Sequence, residues 1–374
     1  MRAVATLAAL STRHEVTLLA PEPGPGQPPP PAHLPCRLAT YRRRGISAWR
    51  GVGKALWGGL PLQSGLFYEP DLGRRLRELR GEADLGFLQL VRLAVHLDDL
   101  SGLPLLVDLI DSLSLSFLKR AEVDRPWMRP LLRFEARRLA VWERRLIERA
   151  EKTLVVAERD RQALLENLPP SLSGKVAVVP LGVEPVSPPA LPALARSGSA
   201  APLLALTGNL GYFVTVDAVT WWLSEVWPRL RQALPEVRVV VAGDRPARAV
   251  RRAVERAGPR VELAASPPDL RALLAEATLS LAPLRCGAGV PVKVLEAWAV
   301  GVPVVASAWA AAGTSGRPGE DLRVVGDSPA EWVEAVVELL ADPDERQRLR
   351  ENGHRRLAAD YSPAAVERQL ASLL

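Results

Sequence analysis

The 374-residue chain has two cysteines, four histidines and five lysines, against 43 arginines. Two cysteines, Cys36 and Cys286, cannot form a disulfide framework or fill a four-ligand zinc site, and point to a reducing compartment, the cytoplasm. The longest uncharged runs, 197–216 and 297–316, could span a bilayer by length, but Gly, Ser, Thr, Asn or Pro break both, so no transmembrane helix is expected. Residues 1–10 lack the longer apolar core and small-residue cleavage site of a signal peptide. Helix-turn-helix, zinc-finger and RNA-recognition signatures are absent, which argues against a nucleic-acid partner. With 48% hydrophobic and 24% charged residues, the chain can bury real cores, and its length suits two domains.

The net charge of +6 is unevenly placed. Residues 1–180 hold 27 Lys and Arg against 20 Asp and Glu, whereas 181–374 hold 21 against 22. Most of the excess lies in 37–80, where Trp49 and Trp57 interleave with Arg42, Arg43, Arg44, Arg50 and Lys54. Aromatic rings beside basic side chains suit an anionic membrane face, although an ordinary amphipathic helix reads the same way.

Hydrophobic patterning predicts an α/β protein. A helix over 1–10 precedes a buried strand over 15–20 and a Pro/Gly-rich loop over 21–35. A helix before the first strand suggests that an earlier strand is missing. Then come a helix at 72–80, a strand at 85–90, a turn through Asp99, a strand at 105–109, a long helix at 130–150, a strand at 152–156, a helix at 158–167 and a strand at 175–179. The Pro-, Ala- and Ser-rich stretch 185–202 reads as a linker, separating domains at 1–184 and 203–374. A second alternation follows, with strands at 203–206, 237–241, 261–263, 279–282, 304–306 and 322–325 and helices at 217–234, 247–257, 268–276, 292–300 and 329–340. Two Rossmann-like halves with a ligand crevice between them are the expected architecture.

The segment 282–307 carries the most chemistry. A strand ends at Pro283, Gly287 and Gly289 let backbone amides approach a ligand, and a helix starts near Val292. A helix amino terminus binds phosphate, and Arg285 and Lys293 would add charge beside it. Glu296, one turn on, suits two vicinal ribose hydroxyls. A lone Gly-x-Gly is more often an ordinary βα turn.

Residues 293–306, Lys-Val-Leu-Glu-Ala-Trp-Ala-Val-Gly-Val-Pro-Val-Val-Ala, resemble the nucleotide-sugar signature of family 4 glycosyltransferases with the GT-B fold. Asp108-Leu-Ile-Asp-Ser-Leu-Ser114, Thr207-Gly-Asn-Leu-Gly-Tyr212, Val216-Asp-Ala218, Glu225-Val-Trp-Pro-Arg-Leu230, Val241-Ala-Gly-Asp244, Leu339-Leu-Ala-Asp-Pro343 and Tyr361-Ser362 are similar to the sugar transferases of bacterial exopolysaccharide and PEP-CTERM/exosortase clusters. The resemblance implies a retaining, metal-independent transfer, without a cofactor, from a nucleoside-diphosphate sugar to a glycan or lipid-linked acceptor, and a final helix packed back on the first domain. It implies donor contacts from Gly208, Asn209, Gly243, Asp244, Arg245, Gly287, Gly289, Val294, Leu295 and Glu296, with His96, Arg285 and Lys293 as the catalytic set. Arg92, Asp108 and Asp111 fall on the acceptor side. The family's first glutamate is replaced by Ala288, and the Arg and Lys that many relatives place after the first strand of the second domain are missing around 208–214. A nucleotide-sugar epimerase of the same fold is one alternative, and Ala288 with the missing first strand leaves an impaired donor-binding or scaffolding relative as another. A cytoplasmic protein, peripheral on the inner membrane face, is the expected setting.

Overall fold

The structure, a computed structural model, describes residues 2–24, 35–43, 51–53, 55, 57–186 and 201–373. It divides into a first unit of Met1–Gly182 with Glu367–Leu374 and a second unit of Val183–Val366. Most of the 42–57 stretch and most of the expected linker lie outside the described residues.

In the first unit, helix α1 (Arg2–Ser11) leads into strand β1 (Thr17–Pro21), which pairs in parallel with β2 (Arg37–Tyr41) as a two-stranded sheet. A separate sheet holds β3 (Gly86–Gln89), β4 (Leu105–Ile110), β5 (Lys152–Val155) and β6 (Val176–Val178), all parallel and in that order. Helix α2 (Pro70–Leu79) starts on a proline, whose missing N–H costs nothing in the first turn. Residues between β3 and β4 form a ten-residue 3₁₀ helix, Val91–Leu100, rather than the expected short turn; Leu90 enters it at φ 76°. Helix α3 (Leu113–Val123), unforeseen in the pattern, is capped by the Ser112 side chain, which accepts from the Leu115 amide. Helix α4 (Arg129–Arg149) buries Leu132, Ala136, Leu139, Leu146 and Ile147, the three-to-four spacing of one helix face, and the last three join a core with Leu105, Val107 and Val155. Helix α5 (Glu158–Leu165) follows β5.

The second unit is a six-stranded parallel sheet built from β7 (Leu203–Thr207), β8 (Arg238–Gly243), β9 (Val261–Ala265), β10 (Leu279–Ala282), β11 (Val304–Ser307) and β12 (Arg323–Val325). Their spatial order is β12-β11-β10-β7-β8-β9. Central strands are wholly buried runs, as expected where helices cover both faces. Helix α6 (Phe213–Trp221) starts earlier than its apolar pattern suggests and passes through a π-turn, Trp222–Val226, into α7 (Trp227–Ala233). The π-turn helps seat Trp222 and Trp227, both buried beside Trp332, Leu204 and Val239. Helices α8 (Arg248–Ala257), α9 (Leu270–Ala275), α10 (Val292–Ala299), α11 (Pro329–Ala341) and α12 (Pro343–Asp360) complete the unit. Helix α13 (Pro363–Ala371) spans the division between the units.

Candidate functional site

The strand order fixes where a ligand belongs. The chain runs from β7 to β8 and β9 on one side and then returns to β10 on the other, so the loops leaving β7 and β10 part company at their carboxyl ends. That divergence opens a crevice where parallel sheets bind ligands.

Glycines shape the crevice. Gly208, after β7, has φ 135°, and Gly243, closing β8, has φ 150°. A Cβ on Gly243 would lie 1.7 Å from the Gly208 carbonyl oxygen, so any side chain there would collide with backbone. Leu210 donates its amide to the Asp244 carbonyl at 2.9 Å and Ala247 to that of Leu210 at 3.0 Å, locking the two loops together. After β10, the Ser307 hydroxyl donates to the Leu284 carbonyl and the Trp309 indole to that of Gly287, which holds the Gly287–Gly289 turn in place.

Lys293 reaches this point from the first turn of α10. A Cβ on Gly208 would meet its Nζ at 3.4 Å and the Thr215 hydroxyl at 3.4 Å. Lys293 is 8% exposed, and burial pulls its ammonium down from 10.5 to about 8, opposed by the nearby Glu296 carboxylate. Burial likewise pushes Glu296 up, while Arg271 and Lys293 hold it down. Sequence reasoning missed Arg271, which α9 brings towards Glu296. It also overlooked that Lys293 is the only lysine between residues 181 and 374, in a chain that otherwise uses arginine. A compact ammonium fits against Gly208 where a planar guanidinium is bulkier.

The other expected donor residues differ in standing. Asn209 spends its side-chain oxygen on the Gly211 amide, and Asp244 and Arg245 are exposed, Arg245 at φ 50°. Val294 and Leu295 are fully buried core side chains, and the Val294 amide already donates to the Pro291 carbonyl, so neither side chain reaches a ligand. Arg285 is turned away from the role expected of it. Its guanidinium makes a two-pronged pair with Asp217, at 3.0 and 2.5 Å, and lies over the Trp221 ring.

In the first unit, His96 is not free for catalysis. It is 1% exposed, accepts from the Glu69 amide through Nε2, engages Asp99 through Nδ1 at 2.9 Å and stacks on Tyr68. It is a structural histidine with both nitrogens occupied. Asp108 is also structural: wholly buried in β4, it takes two bonds from Arg2, at 2.7 and 2.9 Å, and one from Gln89. Arg92 donates to Gln63 and lies over Phe67. Asp111 remains chemically available, pushed up to about 7 by burial and by the Asp160 carboxylate, against the pull of Arg92. Buried Glu143, held by the Ser114 amide and hydroxyl, is also raised to about 7, through burial. A glutamate on the apolar face of α4 was the signal for it. Among the described residues, no three His, Cys, Asp or Glu side chains come together as metal ligands.

Residues 201–342, all within the second unit, match the family model described as Glycosyl transferases group 1. No curated protein matches the chain. Among solved structures, it is similar to sucrose-phosphate synthase of Thermosynechococcus elongatus, with 17% identity and a TM-score of 0.72 over 99% of this chain and 90% of that one. It is similar to HepE of Anabaena in complex with UDP, with 13% identity and a TM-score of 0.65 over 91% and 86%. Trehalose-6-phosphate synthase, studied for glycosyl transfer with retention, shares 14% identity at a TM-score of 0.63 over 99% and 95%. The fold is GT-B, two Rossmann-like α/β units, as the sequence resemblance implied.

Proposed function

We propose that the protein is a retaining glycosyltransferase of family 4, moving a sugar from a nucleoside diphosphate to a hydroxyl of a glycan or lipid-linked acceptor during assembly of an extracellular polysaccharide or glycoconjugate. The observation that carries this reading is Lys293, a lone lysine buried where the β7 and β10 loops part, against Gly208 and in the field of Glu296. The match of residues 201–342 to group 1 glycosyl transferases and the UDP held by HepE support it.

In this reading the bond between the anomeric carbon and the diphosphate oxygen breaks, and a bond from that carbon to the acceptor oxygen forms on the same face. The hydroxyl proton leaves with the diphosphate. Lys293 stabilises the negative charge that builds on the departing oxygens, the amides at the start of α10 add their dipoles, and Glu296 accepts from the donor ribose. No protein nucleophile takes part. His96 has no share in the chemistry, and Arg285 contributes only if it leaves Asp217.

Incubation with a panel of UDP-, GDP-, dTDP- and ADP-sugars, with and without a lipid-linked glycan, tests the proposal. Acceptor-dependent release of a nucleoside diphosphate with an α-configured product from an α-configured donor is expected. Conversion of the sugar without an acceptor makes it an epimerase; binding without turnover makes it a donor-binding relative.

The reading also places the protein on the inner membrane face. No helix among the described residues is long and apolar enough to cross a membrane. Trp57 is 95% exposed, as a surface anchor requires, whereas Arg42 and Arg43 pair with Glu22 and Glu69. Sedimentation with vesicles, enhanced by anionic lipid and reversed by salt, is expected; indifference to both removes the membrane from the account.

A further inference from the structure

A second charged feature of the second unit shares Arg285 with the loop after β10 but none of the glycines, the lysine or the glutamate of the crevice. Helices α6 to α8 border an open surface recess of about 710 Å³, lined by Trp221, Trp227, Arg231, Arg252, Arg256 and Arg285 among others. None of Gly208, Gly243, Gly287, Gly289, Lys293 or Glu296 lines it, nor does any carboxylate among the described residues.

Three of the four arginines, all exposed to solvent, have no partner within the protein among the described residues. Arg285 has Asp217, but among the described residues no ion pair or side-chain hydrogen bond engages Arg231, Arg252 or Arg256. The local sequence makes this more unfavourable: Arg248, Arg252 and Arg256 follow one another at i,i+4 along α8, a ladder of like charges that weakens an isolated helix. Arg252 and Arg256 face the cavity from α8, and Arg231 faces it from α7. Guanidinium groups converging from two elements present the fork geometry that phosphate oxygens match in pairs. Trp227, its indole donating to the Ala257 carbonyl, gives the cavity a rigid apolar wall.

We propose that this cavity is a binding site for a soluble, phosphate-bearing polyanion with three or more negative charges, separate from the crevice at the strand ends. A single carboxylate would leave most of the arginine charge unmatched. A recess of this volume has room for a phosphorylated sugar or a short polyphosphate.

Isothermal titration of the full chain with sodium tripolyphosphate at low salt tests it, with Arg252→Ala/Arg256→Ala as the main variant and Arg252→Gln/Arg256→Gln as a second in case the first fails to fold. Affinity is expected to fall at least about tenfold in either variant that retains the wild-type circular dichroism, and to persist in Lys293→Met. Arg248→Ala/Arg251→Ala, on the same helix but outside the cavity, is expected to leave it unchanged. Loss in Lys293→Met instead would place the anion in the crevice, and equal loss in Arg248→Ala/Arg251→Ala would reduce the effect to general helix charge; either overturns the proposal. Vesicles of anionic phospholipid supply the other source of phosphate. Vesicle binding that depends on Arg252 and Arg256, with no tripolyphosphate binding, would overturn it in favour of a lipid surface.

Discussion

Replacing Lys293 by methionine is expected to make the protein more stable and to weaken its hold on a nucleoside diphosphate. The side chain is 8% exposed and its ammonium titrates at about 8 instead of 10.5. Each tenfold change in proton affinity is about 1.4 kcal/mol, so keeping the charge inside the folded protein costs about 3 kcal/mol. Below pH 8 the lysine is charged in both folded and unfolded states, and the full cost applies. Between pH 8 and 10.5 the folded state sheds its proton before the unfolded state does, so the cost fades, and above 10.5 it is gone. Methionine keeps the length and drops the charge, losing only the attraction to Glu296. The expected gain at pH 7 is about 2 kcal/mol, or about 4–8 °C in Tm for a unit of this size. It is read by thermal melts at pH 7 and at pH 10.5, where the difference from wild type closes. The same variant is expected to bind a nucleoside diphosphate at least about tenfold more weakly. In the wild type that affinity is flat between about pH 7 and 8, where the terminal phosphate is fully ionised, and falls about tenfold per pH unit above it, because the bound form needs the ammonium. A variant that melts lower than wild type and binds the diphosphate as well would refute the reasoning.

Glu296→Gln, which keeps the shape and removes the charge, is expected to weaken a ribonucleotide more than its 2′-deoxy analogue in a titration; equal losses would place Glu296 elsewhere. Arg2→Ala leaves Asp108 charged and buried without its partner, so urea denaturation is expected to show a loss of about 3–5 kcal/mol. His96→Ala orphans the Glu69 amide and is expected to cost about 1–3 kcal/mol in the same assay, with the transfer rate per folded molecule within a few fold of wild type. A far larger fall in rate would return His96 to the chemistry.

The second unit was legible because its strands are short apolar runs separated by amphipathic helices, a pattern set by local periodicity. Strand β2 was hidden by the proline-rich stretch before it and by polar residues at both its ends, Arg37 and Tyr41. Helix α3 opens Leu-Ser-Leu-Ser, an alternation that suits a strand as well as a helix, and only the Ser112 cap and the packing against α4 decide it. At the site, the glycines and Lys293 could be read because a Gly-rich turn running into a helix start, and the motif at 293–306, are written in consecutive residues. Arg285 could not. Its place just beyond Ala282, the last residue of β10, is a chain coordinate, while its direction is set by Asp217, 68 residues earlier. His96 misled for the same reason: the Glu69 amide and the Tyr68 ring that enclose it come from a distant loop.

The central claim is that the crevice at the ends of β7 and β10 holds the diphosphate of a nucleotide sugar. A crystal structure of the full chain with the nucleotide sugar selected by the release assay tests it most directly. The account predicts diphosphate density within hydrogen-bonding reach of the Lys293 ammonium, beside Gly208 and the amino end of α10, with the ribose hydroxyls on Glu296. Density in the arginine cavity alone, or a nucleotide that leaves Lys293 and Glu296 untouched, would contradict it.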